Sequence, residues 1–76
     1  MTTRVTVEKE IRLDQFLKWA KVSSTGGQSK FFILGGQVKV NGEVEIRRGR
    51  MLRDHDLVQI KNDEYLVKMQ LGDSST

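Results

Sequence analysis

The chain has 76 residues and no cysteine, which indicates one small domain and excludes disulfide frameworks and thiolate metal sites. Its 13 lysines and arginines outnumber its ten acidic residues, so the net charge is +3. No apolar run is long enough to span a bilayer and no signal peptide is recognisable, so we expect a cytoplasmic protein with no membrane partner.

The first predicted elements are a short strand and a helix. Val5 and Val7 alternate with polar residues over positions 2–7, which predicts a strand. The apolar spacing then changes to that of one helix face. This stripe consists of Leu13, Phe16, Leu17 and Ala20. Trp19 lies off the stripe, so we expect a partly buried packing residue, with base stacking as the less favoured alternative.

A second helix is predicted after an interruption at residues 22–27. Thr25 and Gln28 match a capping box, in which both side chains satisfy free amides at a helix start. The buried stripe is expected to consist of Ser29, Phe32 and Ile33. Gly35 and Gly36 end this helix, because glycine adopts the left-handed conformation of a C-terminal cap at little cost. Two short helices with a tight loop form a helix-turn-helix-like pair.

The apolar period drops to two after the second helix, which predicts a β-hairpin. Val38 and Val40 alternate with polar residues and are followed by Asn41-Gly42, a strong turn signal. We expect a three-residue loop over residues 41–43 with a bulge, because it pairs Val40 with another valine. A two-residue loop would place the strand valines opposite two glutamates, which is an apolar–charged mismatch.

A second hairpin is predicted around Asn62 and Asp63, with Ile60 opposite Tyr65. This pairing places Tyr65 in the core, so an aromatic platform for single-stranded nucleic acid is poorly represented. We expect residues 72–76 to be a flexible tail.

The basic residues are concentrated in the middle of the chain. Residues 23–53 carry six basic and two acidic residues, whereas residues 54–76 carry two basic and five acidic ones. Such an asymmetric distribution attracts a polyanion to one side of a protein. The central segment includes Arg47, Arg48, Arg50 and Arg53. Arginine binds phosphate through paired hydrogen bonds and stacks on bases, so the cluster indicates nucleic-acid binding more than solubility alone.

Three segments resemble the small RNA-binding domain named after ribosomal protein S-four. They are RLDQFL at residues 12–17, GQVKVNG at residues 36–42 and DLV at residues 56–58. Two further segments are TGG at residues 25–27 and RRGR at residues 47–50. Together with the short length, they are most similar to small stand-alone bacterial proteins of the YaaA kind.

The resemblance implies an α+β fold, in which a helix-turn-helix-like pair packs on a small antiparallel sheet, called the alpha-L motif. It also implies a non-catalytic module that binds structured RNA, often ribosomal, without a cofactor or a small-molecule substrate. We expect residues 11–71 to form this domain, residues 1–10 to be an extension or short strand, and the protein to be a monomer.

The start of the second helix is the first part of the expected RNA site. Its free N–H groups and helix dipole attract a phosphate, and Gly26 and Gly27 allow close approach to the backbone. Many relatives have Ser-Arg here, whereas this chain has Thr25-Gly26, so Lys30 and the arginine cluster are expected to replace the missing guanidinium. The alternative is that Thr25 only caps and the glycines only permit the turn. The full expected RNA-contacting set is Arg12, Lys18, Ser24, Thr25, Gly26, Gly27, Gln28, Lys30, Lys39, Arg47, Arg48, Arg50 and Arg53.

Catalytic and metal-binding functions are less well supported by the residues. A core this small leaves little room for a deep, dry active site. Asp54-His55-Asp56 has the composition of a metal site, but alternation along a strand would point His55 away from both carboxylates. No nucleophile elbow surrounds a serine, and the glycine-rich segment at residues 26–30 lacks P-loop spacing.

Two alternatives to RNA binding remain. One is a protein-interaction adaptor on a ribosomal or RNA-processing complex, with the acidic end of the chain as its surface. The other is a duplex-DNA binder, in which Gln28 and Lys30 would read base edges. Phosphate contacts position RNA without reading its sequence, so the leading hypothesis predicts recognition by shape.

Overall fold

Two helices cover one face of a five-stranded sheet, and a separate two-stranded ribbon lies beside them. The computed structural model describes residues 2–70, so the tail expected at residues 72–76 lies outside the described residues. In chain order the elements are β1 (Thr2–Val7), β2 (Ile11–Arg12), α1 (Leu13–Trp19), α2 (Gly26–Leu34), β3 (Val38–Val40), β4 (Glu43–Val44), β5 (Met51–Leu52), β6 (Leu57–Ile60) and β7 (Asp63–Met69).

Helix α1 follows the predicted apolar stripe. Its buried apolar residues are Leu13, Phe16 and Leu17. Trp19 was expected to be partly buried, but it is 59% exposed, and its indole N–H donates to the carbonyl oxygen of Thr6 at 3.0 Å. The expectation is wrong because Trp19 lies off the buried face of α1. Its indole N–H finds a hydrogen-bond acceptor on β1, at the surface.

Helix α2 begins with the predicted capping box. Thr25 Oγ1 accepts a hydrogen bond from Gln28 N at 3.1 Å, and Gln28 Oε1 accepts one from Ser24 N at 2.7 Å. The glutamine thus reaches back one residue beyond the N-cap, so only the bond to Thr25 satisfies an amide that the helix leaves free, and the other ties the preceding loop to the helix.

The C-terminus of α2 is the expected glycine cap. Gly36 has a φ of 76°, Gly36 N donates to Ile33 O, and Gln37 N donates to Phe32 O, each at 3.1 Å. These two bonds form a Schellman motif, which requires the left-handed conformation that glycine favours. The predicted buried stripe of Ser29, Phe32 and Ile33 is confirmed.

The five-stranded sheet has the order β1-β7-β6-β3-β4 and is mixed. The strands from β3 to β7 pair in antiparallel fashion, whereas β1 pairs with β7 in parallel, from Thr2 opposite Glu64 to Val7 opposite Met69. The expected sheet was wholly antiparallel. The expectation is wrong at the β1 edge. Only strands joined by a hairpin must be antiparallel, and β1 and β7 are separated by all the other elements of the domain.

The first hairpin has a two-residue loop, so the expected three-residue loop is wrong. Val40 lies opposite Glu43, and the two loop residues have φ values of 55° and 89°, as in the turns that favour asparagine-glycine. The Asn41 side chain also joins the turn to β6, because Oδ1 accepts from Leu57 N and Nδ2 donates to Asp56 Oδ1, each at 3.0 Å.

The second hairpin also has a two-residue loop, in which Lys61 has a φ of 59°. Ile60 lies opposite Asp63, so the expected pairing of Ile60 with Tyr65 is wrong by two positions. A shift of two residues preserves the face that each side chain occupies. Tyr65 therefore still faces the core and is half-buried against it.

The core lies between the helices and the inner face of the sheet. Its members are Val7, Leu13, Phe16, Leu17, Phe32, Ile33, Val38, Val40, Leu52, Val58, Ile60 and Val67. Residues from both helices, from the sheet and from the ribbon therefore share one core, which positions the loops between them. Neither helix within residues 2–70 has the length and apolarity that crossing a membrane requires.

Candidate nucleic-acid interface

Five arginines lie around the β2–β5 ribbon and the loop before it, and we call them the arginine group. They are Arg12, Arg47, Arg48, Arg50 and Arg53. The ribbon pairs Arg12 with Met51 and Ile11 with Leu52, so it brings the first arginine next to the segment that holds the other four. Leu52 is fully buried and anchors this short ribbon to the core.

The loop that carries the arginines caps helix α1 through its backbone. Arg12 occupies the N-cap position, but its side chain makes no capping hydrogen bond. Instead, Leu13 N donates to Arg50 O at 2.8 Å and Asp14 N donates to Arg48 O at 3.2 Å. The loop carbonyls thus satisfy two amides that the helix start leaves free, and the loop backbone is held against α1.

Glu45 is a buried carboxylate at the centre of the arginine group. It is 6% exposed, and Glu45 N donates to Val38 O at 2.9 Å, which continues the β4 ladder. Arg47 donates from N and Nε to Oε2 and from Nη2 to Oε1, and Arg50 donates from Nη1 to Oε1, all within 2.9–3.1 Å. These bonds compensate for placing the Glu45 carboxylate opposite Val38. That apolar–charged pairing was the reason to predict a three-residue hairpin loop.

The same contacts shift the pKa of the buried carboxylates. The pKa of Glu45 falls from 4.5 to about 2, and the side-chain hydrogen bond from Arg47 is the largest cause. Asp14 is also buried and accepts from Arg12 Nε at 3.1 Å and Arg12 Nη2 at 2.8 Å, which lowers the pKa of Asp14. Both carboxylates are therefore charged at neutral pH, and each holds an arginine side-on.

The guanidinium groups nevertheless remain open on their outer edges. The side chain of Arg47 is 75% exposed and that of Arg12 is 50% exposed, whereas that of Arg50 is more enclosed. Arg53 Nε lies 3.1 Å from Glu10 Oε2 in an exposed pair. Arg48 is exposed and forms no ion pair with any residue in the range 2–70.

The two glycines that open α2 have no packing reason to be glycine. A Cβ atom at Gly26 would meet nothing within 4 Å, and one at Gly27 would meet only Thr25 Oγ1 at 3.9 Å. Neither glycine has a positive φ, so the turn does not require them. Their effect is to leave the first amides of the helix uncovered, as a close ligand would need.

Lys30 lies one turn into α2, on an exposed face that it shares with Gly27, Phe31 and Leu34. Phe31 is 68% exposed and Leu34 is 54% exposed, so this face is apolar apart from the lysine. Helix α2 is therefore apolar on both its buried and its exposed sides.

Two of the expected contact residues lie elsewhere. Lys18 borders a shallow groove with Gln15 and Trp19 on α1. Lys39 lies on β3 between two buried valines, so its side chain is on the sheet face that points away from the helices. These positions favour a peripheral, solvated role for both lysines over a direct RNA contact.

The remaining expected residues fall into two groups. The first is the arginine group, held against the start of α1. The second is the start of α2, with Ser24, Thr25, Gly26, Gly27, Gln28 and Lys30. Between these groups, residues 2–70 show no hydrogen bond or ion pair. The arginine cluster was expected to replace a guanidinium at the start of α2, whereas its observed backbone bonds are to the start of α1.

The sequence interpretation missed the roles of Asp14 and Glu45 in holding these arginines. A signal was present, because arginines follow Glu45 at two and five positions and precede Asp14 at two. Alternation along a regular strand pair does not indicate which carboxylate becomes buried, so the spacing alone was ambiguous.

His55 was expected to point away from its flanking carboxylates, and this is corrected. His55 Nδ1 lies 2.7 Å from Asp54 Oδ2, and His55 Nε2 lies 3.3 Å from Lys68 Nζ. The reason is that His55 lies in a turn with a φ of 74°, where strand alternation does not apply. Among the described residues, no three His, Cys, Asp or Glu side chains are grouped to hold a metal ion.

The fold and the site define a small α+β module, in which a basic surface lies beside a helix-turn-helix-like pair. The model of the S4 domain family matches residues 5–68, and the chain belongs to this family. The predicted resemblance to the domain named after ribosomal protein S-four is thereby confirmed, together with the α+β fold class.

Three of the known proteins that are similar to this chain illustrate the family. A Bacillus subtilis (strain 168) protein, described as a probable ribosome maturation protein RlbA, is 42% identical over 62 residues, which cover 80% of this chain and 87% of that relative. YbcJ from E. coli, whose solution structure is described as revealing an AlfaL motif involved in RNA-binding, is 30% identical with a TM-score of 0.64, over 88% of this chain and 85% of YbcJ.

The third similar protein is Vibrio cholerae Heat Shock Protein 15, whose structure is described as trimeric. It has a TM-score of 0.65 and 24% identity, over 74% of this chain. This chain spans 58% of the length of that protein. At this level of identity the likeness shows the fold alone.

Proposed function

We propose that this chain is a non-catalytic module that binds structured RNA, with ribosomal RNA as the partner, through phosphate and shape contacts. The observation that carries the proposal is the arginine group: five guanidinium groups lie around one ribbon, and three of them are held by the buried carboxylates of Asp14 and Glu45. Fixed guanidinium groups with free N–H donors suit phosphate oxygens. A cytoplasmic location follows from this partner.

The start of α2 supplies the second contact of the proposed site. Uncovered amides at Gly26 and Gly27, with Lys30 one turn further on, suit a phosphate of the same RNA. Helix α1 packs on α2 and is capped by the arginine loop, so one rigid core supports both contacts. The description of YbcJ as having a motif involved in RNA-binding, and of RlbA in ribosome maturation, supports the same partner.

Duplex DNA is a less suitable partner for this surface. Gln28 was a candidate base-reading residue, but its Oε1 already accepts from Ser24 N at 2.7 Å. The rest of the exposed α2 face offers one lysine and two apolar side chains to a major groove. We expect structured RNA to bind more tightly than duplex DNA of the same length at the same salt concentration.

The proposed contacts predict a strong dependence on salt. The logarithm of the RNA association constant should fall linearly with the logarithm of salt concentration, with a slope of about 0.9 per duplex phosphate neutralised. Fluorescence anisotropy with a labelled ribosomal RNA hairpin measures the slope. Equal binding to duplex DNA and to RNA, or binding that ignores salt, would reject the proposal. We also propose that the protein is a monomer, and light scattering of the free protein tests this.

Arg48 is the best single residue for testing the site, because it holds no carboxylate within the described residues and its removal leaves no buried charge unpaired. We expect Arg48→Ala to weaken RNA binding several-fold and to lower the salt slope by about 1. Arg4→Ala, which removes the same charge from an exposed position of β1, is the control and should change binding little. Equal effects of the two variants would show that only net charge matters.

A second candidate function is a protein-interaction adaptor, and the exposed apolar face of α2 favours it. Phe31 and Leu34 leave an apolar surface beside the proposed RNA site. Affinity capture with and without nuclease separates the candidates. A protein partner that survives nuclease treatment, and is lost with Phe31→Ser, would support the adaptor, whereas crosslinked ribosomal RNA would support the first proposal.

A further inference from the structure

The arginine group contains an acidic residue in a position that a simple electrostatic view of RNA binding does not explain. Glu45 is 6% exposed and its carboxylate lies among the guanidinium groups that face the proposed ligand. A negative charge near a phosphate site opposes RNA binding by Coulomb repulsion. Solubility gives no reason for it either, because the side chain is buried.

The contacts of Glu45 indicate what this charge does. Arg47 donates hydrogen bonds to the Glu45 carboxylate from one edge of its guanidinium, through Nε and Nη2. The backbone N–H of Arg47 donates to the same carboxylate. A guanidinium has five N–H donors in a fixed plane, so this arrangement leaves three of the donors pointing outward. The side chain of Arg47 remains 75% exposed on that outer side.

Arg50 is held by the same carboxylate from a second direction. Its Nη1 donates to Glu45 Oε1 at 2.9 Å, while its backbone carbonyl caps Leu13 at the start of α1. Two long side chains are therefore fixed by one buried group, and their loop is fixed by the helix. Ordering such side chains when RNA binds would otherwise lower the affinity through lost conformational entropy.

We propose that Glu45 is a positioning residue of the RNA site, which orders Arg47 and Arg50 before the RNA arrives. This inference rests on the proposed function and adds a residue that does not itself contact RNA. Asp14 holds Arg12 side-on in the same way, through Nε and Nη2, so the arrangement recurs within the site.

The decisive variant is Glu45→Gln, with Glu43→Gln as its matched control. Both substitutions remove one negative charge, and Glu43 is exposed two residues earlier without an ion pair in residues 2–70. Glu43→Gln should leave RNA affinity unchanged or tighten it up to about threefold, because the protein becomes more positive. Glu45→Gln should weaken binding by about fivefold or more, although it changes the charge equally, because two side chains lose their order.

The salt slope separates positioning from a loss of folded protein. A smaller folded fraction that stays constant over the salt range changes the apparent affinity by the same factor at every salt concentration, so it leaves the slope unchanged; circular dichroism at each salt concentration measures that fraction. Misplaced arginines neutralise fewer phosphates, so Glu45→Gln should also lower the slope by about one or more. Weaker binding with an unchanged slope would overturn the positioning role and assign Glu45 to stability alone.

A double-mutant cycle tests whether Glu45 acts through Arg47. In the Arg47→Ala background, Glu45→Gln should weaken RNA binding less than it does in the natural chain. An undiminished effect would overturn the proposal. If Arg48→Ala leaves RNA binding unchanged, the proposed function itself has failed. If Arg48→Ala weakens binding while Glu45→Gln behaves like Glu43→Gln, only the positioning role has failed.

Discussion

Glu45 stands at a position where the ladder of the first hairpin directs its side chain toward the core, opposite Val38. A buried carboxylate at such a position is unfavourable unless charged partners and hydrogen bonds compensate for lost water. Arg47 and Arg50 supply four hydrogen bonds, so the hairpin can adopt the two-residue loop that Asn41-Gly42 favours. One residue with its partners thus decides the register of a strand pair.

Acid is expected to remove the stabilisation that Glu45 supplies. Because its pKa is about 2 in the folded chain and 4.5 ordinarily, this stabilisation is complete above pH 4.5 and is lost as the pH falls through about 2. We expect Glu45→Gln to lower the free energy of unfolding by about 2 kcal/mol at pH 7 and by much less at pH 2. Urea denaturation at both pH values measures the two differences, and equal differences would contradict this assignment.

At the scale of elements, the two helices are capped by different means. Helix α2 carries its own signals, with the capping box at Thr25 and the glycine cap at Gly36. Helix α1 has no side-chain cap, and its first amides are satisfied by carbonyls from a loop more than thirty positions later in the chain. The start of α1 therefore forms only when the arginine loop and the β2–β5 ribbon are in place.

Removal of the Thr25 hydroxyl from the capping box of α2 is expected to lower the free energy of unfolding measurably. Thr25→Ala leaves Gln28 N without its acceptor and should lower the free energy of unfolding by about 1 kcal/mol. Thr25→Ser keeps the hydroxyl and should lie within about 0.5 kcal/mol of the natural chain. Urea denaturation compares the three proteins. A loss for Thr25→Ser as large as that for Thr25→Ala would argue against the hydrogen bond as the cause.

At the scale of the whole molecule, the first strand extends the sheet beyond β7. β1 pairs in parallel with β7 along its full length, and Val7 is 3% exposed in the common core. β1 thus covers the edge of β7 and becomes an edge strand itself, at the opposite side of the sheet from β4. Residues 2–7 thus contribute to the same core as the helices.

This role of β1 predicts unequal effects at two adjacent positions. Val7→Ala removes buried methyl groups and should lower the free energy of unfolding by about 2 kcal/mol. Thr6→Ala, at an exposed position of the same strand, should change it by less than about 0.5 kcal/mol. Thermal or urea unfolding measures both. A mild effect at Val7 would show that β1 is an appendage to the fold and not part of its core.

Local patterns in the sequence predicted most elements and the limits of α2. The i, i+3, i+4 spacing of α1, the Thr25–Gln28 box and the glycine pair all act within one or two turns of the chain, where steric and hydrogen-bonding rules are sufficient. The loops expected for both hairpins were too long. In the first hairpin the reason is that pairing rules for apolar residues did not include the arginine partners of Glu45.

The candidate site divides in the same way. The presence of the arginines and of a glycine-rich helix start could be predicted from the sequence, because both depend on composition and spacing. Which helix the arginines meet was not visible, since Arg48 and Arg50 reach α1 through backbone bonds across a long sequence separation. The sequence by itself determined the helix and strand patterns and the supply of basic groups, since these follow from short-range periodicity and residue type. Its three S-four-like segments carried the resemblance that implies the family and the α+β class. Only the tertiary structure decided the parallel edge strand, the burial of Asp14 and Glu45, and the arrangement of the arginines, because each depends on contacts between segments far apart in the chain.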